Sequence, residues 1–267
     1  NQLETYLEDN RSKKLKAVIV THIGGRTVDL QRVYSMAKIY NVKIVEDASD
    51  ALGATYNNQK IGATGADITC FDFSPHMKKN ICNGGMLVTD DEDIIERAKL
   101  LSNHAITRVD SNLEYIYDVV DIGNDYSIGE LNAAYIRAQL IDQDENIIRQ
   151  REIASLYNNY LENVNHVTIP QGNSETDPYS LYIIKIDKNR DSFALELHKA
   201  GVQTALHYIP LHLLNYYKSK YALKVNDFPI ALQSFQQVLS LPIYASMSDK
   251  DVKFVSDKIK KIAASRV

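Results

Sequence analysis

Three short stretches of the chain carry side chains that could do chemistry. In Phe71-Asp72-Phe73-Ser74-Pro75-His76-Met77-Lys78-Lys79-Asn80 an apolar run ends in a hydroxyl, an imidazole and two amines. A lysine at a strand end can act as a Schiff-base nucleophile when burial lowers its pKa. In a solvated loop the same lysine is only a surface charge. In Glu46-Asp47-Ala48-Ser49-Asp50, Asp47 closes a β-branched run. Its carboxylate can face a ligand crevice or cap the next helix. In His207-Tyr208-Ile209-Pro210-Leu211-His212, Pro210 forbids helical spacing of the histidines, and no third ligand stands near. That pattern suits a polar ligand contact from His207 and Tyr208, or a buried and satisfied histidine, better than a metal. No metal site is expected.

Ligands of open α/β sheets sit outside the carboxyl ends of the strands, so these stretches matter only if strands deliver them there. Lys16–His22 and Val42–Glu46 are β-branched runs fit for buried parallel strands. Val28–Tyr40 between them carries a helical apolar stripe, which makes a right-handed βαβ unit. Ala54–Tyr56 and Lys60–Ile61, around Asn57-Asn58, read as a hairpin. Ile68–Phe73 and Met86–Thr89 are further strands, and Asp91–Leu101 is an amphipathic helix. Glu130–Tyr160 is mostly helical, and Asn163–Asp177 is polar and turn-rich. Strands are expected over Tyr179–Ile186 and Val202–Tyr208, and helices over Ser192–Ala200 and Asp249–Ala263. Gly201 suits a helix C-cap. The first half is thus α/β and the second a smaller α+β domain.

Composition narrows the function classes. The 267 residues hold Lys+Arg 30 against Asp+Glu 34, a net charge of -4, with 45% hydrophobic and 24% charged residues. This is an ordinary globular balance, and it argues against a binder of nucleic acid that works by neutralising phosphates. No apolar run approaches the ~18 residues of a membrane span. Cys70 and Cys82 cannot build a disulfide framework, and no signal peptide is visible, so a cytoplasmic protein with reduced thiols is expected. The chain opens on Asn1, which suggests processing or a fragment. No GxGxxG or Walker loop is present, which disfavours a plain nucleotide-binding domain.

With these segments in place, the chain resembles the DegT–DnrJ–StrS family of nucleotide-sugar aminotransferases. Val45–Thr55 (VEDASDALGAT) is similar to the family's VEDAAQAHGA, and Phe71–Gly85 to its lysine loop FSFHPVKxITTGEGG. GGMLVT at Gly84–Thr89 continues the match. Gly123–Ala134 (GNDYSIGELNAA) is similar to GYNYRMSELQAA. HYIPLHL at His207–Leu213 and SLPIY at Ser240–Tyr244 match its C-terminal motifs.

The resemblance implies a fold-type-I pyridoxal-phosphate aminotransferase. Residues 1–140 would be the C-terminal portion of the large cofactor-binding domain, with the family's N-terminal portion missing. Residues 141–267 would be the small C-terminal domain. A lysine would hold pyridoxal 5'-phosphate as a Schiff base, glutamate would donate the amino group, and a nucleotide-linked keto sugar would receive it. The pathway would be that of surface polysaccharide or glycan precursors. Asp47 would pair with the ring nitrogen, Asp50 would lie beside the ring, and Ser74 would donate to the phosphate. Asn124 would reach the partner subunit's phosphate, which implies a homodimer, and His76, His207 and Tyr208 would line the substrate side.

The lysine has two registers. Aligned on Ser74, which stands five residues before Lys79, the family spacing is restored, with Lys79 first and Lys78 second. Aligned on Phe71 and Gly84-Gly85, the lysine position falls on Met77 and the phosphate serine on Asp72. Asp125 and Ser127 stand where the family has Asn and Arg. A sugar dehydratase using His76, and a non-catalytic relative or fragment of the same fold, are the alternatives.

Overall fold

The computed structural model describes residues 2–11, 14–73, 83–108, 113, 115–172 and 175–266. They form two compact units, one of residues 1–23 and 27–143, the other of residues 24–26 and 144–267.

The first unit runs α1 (Gln2–Asp9), β1 (Ala17–Thr21), α2 (Leu30–Tyr40), β2 (Lys43–Asp47), β3 (Thr55–Tyr56), β4 (Gln59–Lys60), β5 (Ile68–Asp72), β6 (Gly85–Val88), α3 (Glu92–Leu101), β7 (Ile106–Arg108), β8 (Tyr117–Val119) and α4 (Glu130–Ile141). Its sheet has the order β1-β2-β5-β6. The first three strands are parallel, and β6 returns antiparallel to β5. The β1–α2–β2 crossover follows from its residues. Asp29 caps α2 by accepting the Arg32 N–H at 3.2 Å. Leu30, Val33, Met36 and Ala37 recur on one face and are buried. Asn41 ends the helix in the left-handed region at φ 53°. Val33, Met36 and Ala37 pack with Val20, Val42 and Ile44, so α2 covers one face of β1 and β2. On the other face Ile19 is 71% exposed.

The second unit runs α5 (Gln143–Leu161, its first residue in the first unit), β9 (Val167–Thr168), β10 (Tyr182–Ile186), α6 (Arg190–Lys199), α7 (Asn215–Lys220), α8 (Pro229–Gln237), β11 (Val238–Leu241) and α9 (Asp249–Ala264). Its antiparallel sheet has the order β11-β10-β9. Tyr182, Ile184 and Ile186 alternate inward and join Tyr157, Phe193, Leu197, Val252, Val255 and Ile259 in one core. The two buried phenols are satisfied: Tyr157 donates to the Pro242 carbonyl at 2.9 Å and Tyr182 to Asn158 Oδ1 at 2.7 Å. Ser248 and Asp251 form a reciprocal capping box that starts α9.

One expected strand is absent. Val202–Tyr208 pairs with β11 only through a bridge between Ala205 and Ser240. The Val202 N–H is taken by the Leu197 carbonyl at the end of α6, and the His207 ring, rather than its backbone, reaches Ser240. The long helical stretch is two helices, because Asp142 leaves helical geometry at φ -92°, ψ 6°.

The core of the second unit makes a stability prediction. Phe193 is fully buried, so Phe193→Ala should cost about 3–5 kcal/mol. Ser248→Ala, which removes only the cap, should cost about 1 kcal/mol. Urea unfolding of the two variants checks the order, and equal losses would contradict it.

Candidate functional site

The parallel register places Thr21, Asp47 and Cys70 side by side at the carboxyl edge of the sheet. Paired residues share a face, so the three side chains point the same way. Asp47 Oδ1 accepts from Ser49 Oγ at 2.5 Å and from Ser49 N at 3.2 Å, while Oδ2 accepts from Thr21 Oγ1 at 3.4 Å. The backbone is tied on both sides: His22 N donates to the Asp47 carbonyl at 3.0 Å, and Ala48 N to the Cys70 carbonyl at 2.8 Å. Asp47 is therefore half-buried, oriented and anchored. Asp50 lies in the turn that follows, where Ala51 N bonds the Ala48 carbonyl at 2.9 Å. Burial, and secondarily Asp47, push the Cys70 thiol above its ordinary pKa.

The neighbouring row, Val20, Glu46 and Thr69, faces the other way. Glu46 is fully buried there. The Tyr34 hydroxyl donates to its Oε1, and Thr64 and Thr69 hydroxyls reach it at 3.4 Å each. His22 Nε2 lies 3.5 Å from Oε2. The other ring nitrogen of His22 accepts the Val28 N–H at 3.3 Å. Burial pushes the Glu46 carboxyl up, but His22, Tyr34 and Thr64 outweigh it and hold the group below its ordinary value.

The segment 74–82, with Ser74, His76, Met77, Lys78 and Lys79, lies outside the described residues. Its flanks are tied together at the same edge: Phe73 N donates to the Gly84 carbonyl at 2.8 Å, and Asp72 pairs with Gly85. Further along the first unit, a Cβ on Gly123 would sit 2.6 Å from the His104 carbonyl carbon and 2.8 Å from the Leu101 oxygen, so only glycine fits. That close approach lets Asn124 N bond the Leu101 carbonyl at 2.9 Å and its own carbonyl accept from His104 N at 3.1 Å. The Asn124 side chain stays exposed. Asp125 is occupied locally, accepting from Ser127 N at 2.9 Å and Oγ at 2.5 Å.

In the second unit, His207 Nδ1 bonds Ser240 Oγ at 2.6 Å, and its ring meets Tyr208 edge-on at 5.2 Å. Tyr208 is 62% exposed. His212 is buried against Phe228 at 5.0 Å. Among the described residues no group of His, Cys, Asp and Glu is placed to hold a metal, and no helix is long and apolar enough to cross a membrane.

Thr21, His22, Tyr34, Glu46 and Thr69 were not singled out by sequence reasoning. One signal was present: strand alternation puts Glu46 in phase with apolar Ile44, hence on the helix-covered face. Glu46 also makes a pH prediction. Its folded pKa is depressed, so its stabilisation is present above the unfolded value near 4.5 and is lost as pH falls through the folded one. Below about pH 4.5 the wild-type melting temperature should fall more steeply than that of Glu46→Gln. Equal slopes would contradict this.

The model of the DegT/DnrJ/EryC1/StrS aminotransferase family matches residues 2–260. A Methanocaldococcus jannaschii protein of uncharacterized activity is 34% identical over 97% of this chain and 69% of its own length. The UDP-4-amino-4,6-dideoxy-N-acetyl-beta-L-altrosamine transaminase of Campylobacter jejuni is 29% identical over 93% of this chain and 66% of its own length. Among solved structures, DesV of S. venezuelae, in complex with a ketimine intermediate, superposes with a TM-score of 0.86 at 28% identity, covering 99% of this chain and 69% of that one. The fold is therefore that of the fold-type-I sugar aminotransferases, and the chain belongs to the DegT/DnrJ/EryC1/StrS aminotransferase family.

Proposed function

We propose that the chain acts as a pyridoxal-phosphate-dependent aminotransferase that moves an amino group from glutamate to a nucleotide-linked keto sugar. On this reading it works as a cytoplasmic homodimer in the synthesis of surface polysaccharide or glycan precursors. The observation that carries the reading is the anchored carboxylate of Asp47, at the sheet edge where both flanks of segment 74–82 are tied.

The residues at that edge fit the cofactor. Asp47 offers a half-buried carboxylate whose other partners are hydroxyls and one N–H, an acceptor suited to a ring nitrogen. When bound, pyridoxal phosphate supplies an electron sink for the substrate carbon. Asp47 would keep a proton on the ring nitrogen. Lys79, or Lys78 in its place, would hold the cofactor as a Schiff base and, once displaced by the incoming amino group, would move the proton at the substrate carbon through its freed Nζ amine. Ser74 would donate to the phosphate, Asp50 would lie beside the ring, and Asn124 would reach the partner subunit's phosphate. His76, His207 and Tyr208 would bind the nucleotide sugar. Exposed Asp72, at the very end of β5, favours a second reading, because an anion there opposes a phosphate. In that reading Met77 occupies the lysine position, and the protein is a non-catalytic relative or a dehydratase using His76.

Borohydride reduction in the presence of pyridoxal phosphate, followed by peptide mapping, separates these. A label on Lys79 that is lost in Lys79→Ala is the expected result. A label on Lys78 moves the site by one residue. A folded chain that takes no label contradicts the aminotransferase reading. Sedimentation of the cofactor-loaded protein should give a dimer, and a loaded monomer would contradict the role given to Asn124.

A further inference from the structure

Glu46 poses a problem that the roles above leave unanswered. It is fully buried, and no lysine or arginine among the described residues pairs with it. Its partners are three hydroxyls and the His22 imidazole. The groups facing it from each neighbouring element are His22 after β1, Tyr34 on α2, Thr64 before β5 and Thr69 on β5; of these only His22 and Tyr34 titrate. A buried carboxylate is costly, and a fold that keeps one ionised spends hydrogen bonds to do so.

The placement suggests its use. Glu46 and Asp47 are consecutive in β2 and emerge on opposite faces. His22 joins the two, with its ring at Glu46 and its backbone N–H on the Asp47 carbonyl. The clamp on Glu46 therefore also fixes the backbone that carries Asp47. Its charge lies one strand's thickness from the open face, where Thr21, Asp47 and Cys70 lie.

The geometry points to Glu46 as a positioning residue for Asp47: a buried carboxylate that locks the end of β2 and biases the adjoining face toward a cationic ligand group. Under the aminotransferase reading, on which this identification of the ligand rests, that group is the protonated ring nitrogen held by Asp47. Glu46 touches neither cofactor nor substrate in this account; it acts through Asp47 and through its field.

Cys70 reports that field without any cofactor. It is a free thiol in the same row as Asp47. Cys82→Ser removes the other thiol of the chain. In that background, iodoacetamide alkylation of Cys70 is followed against pH with Glu46 intact and with Glu46→Gln. Loss of a nearby anion favours the thiolate. The rate at neutral pH should therefore rise on the order of threefold or more, and the profile should move to lower pH. A coincident profile, with circular dichroism unchanged, overturns the proposal. Should Glu46→Gln fail to fold, the wild-type chain labelled with ¹³C at the glutamate carboxyls decides. A Glu46 carbon ionised at pH 7 supports the proposal, and a protonated one overturns it. A faster thiol in a chain that takes no borohydride label would keep the charge effect and refute the cofactor.

Discussion

Parallel pairing of β1, β2 and β5 sets Thr21, Asp47 and Cys70 in one row, and the chemistry proposed for the first unit depends on that row. A slip of one residue would turn Asp47 toward α2 and Glu46 toward the open face. The register is held at both ends of β2. At its start Asp67 takes Lys43 Nζ at 2.7 Å and Ile44 N at 2.8 Å. At its finish His22 N and Ala48 N bond across to the neighbouring strands. Asp47 thus meets its surroundings already oriented, and pre-orientation is what lets a carboxylate act on a ligand without paying for its own ordering.

Strand alternation then divides the work between two adjacent acids. Glu46 goes to the face that α2 covers, where Tyr34, Thr64, Thr69 and His22 stabilise it. Asp47 goes to the face that stays open, where Ser49 and Thr21 orient it. Identical chemistry in consecutive residues acquires different environments from the pleat alone. On the proposed reading one acid contacts the cofactor, and the other sets the charge and position of the first.

Most of the first unit was legible because its signals are local. The β-branched runs around Val18 and Ile44, the stripe from Leu30 to Ala37 and the Asn57-Asn58 turn each mark one element, and the structure places β1, β2, α2 and the β3–β4 hairpin there. Asp47 was legible as a strand-end acid. Glu46 and His22 were not, since their importance lies in partners far along the chain, Thr64 and Thr69, that no local pattern connects. The strand expected over Val202–Tyr208 failed for a related reason. Its residues suit a strand, but a strand needs a partner edge, and β11 offers only Ser240 to Ala205. Helix α8, which starts at Pro229, and the β7–β8 hairpin were missed because their signals are short and mixed.

The central claim is that Asp47 is the partner of the cofactor's ring nitrogen. Pyridoxal phosphate labelled with ¹⁵N at the ring, bound to the protein and to Asp47→Asn, tests it by the nitrogen's chemical shift. The account predicts a protonated ring nitrogen in the wild type at pH 8 and an unprotonated one in Asp47→Asn. The same protonation state in both proteins would contradict it.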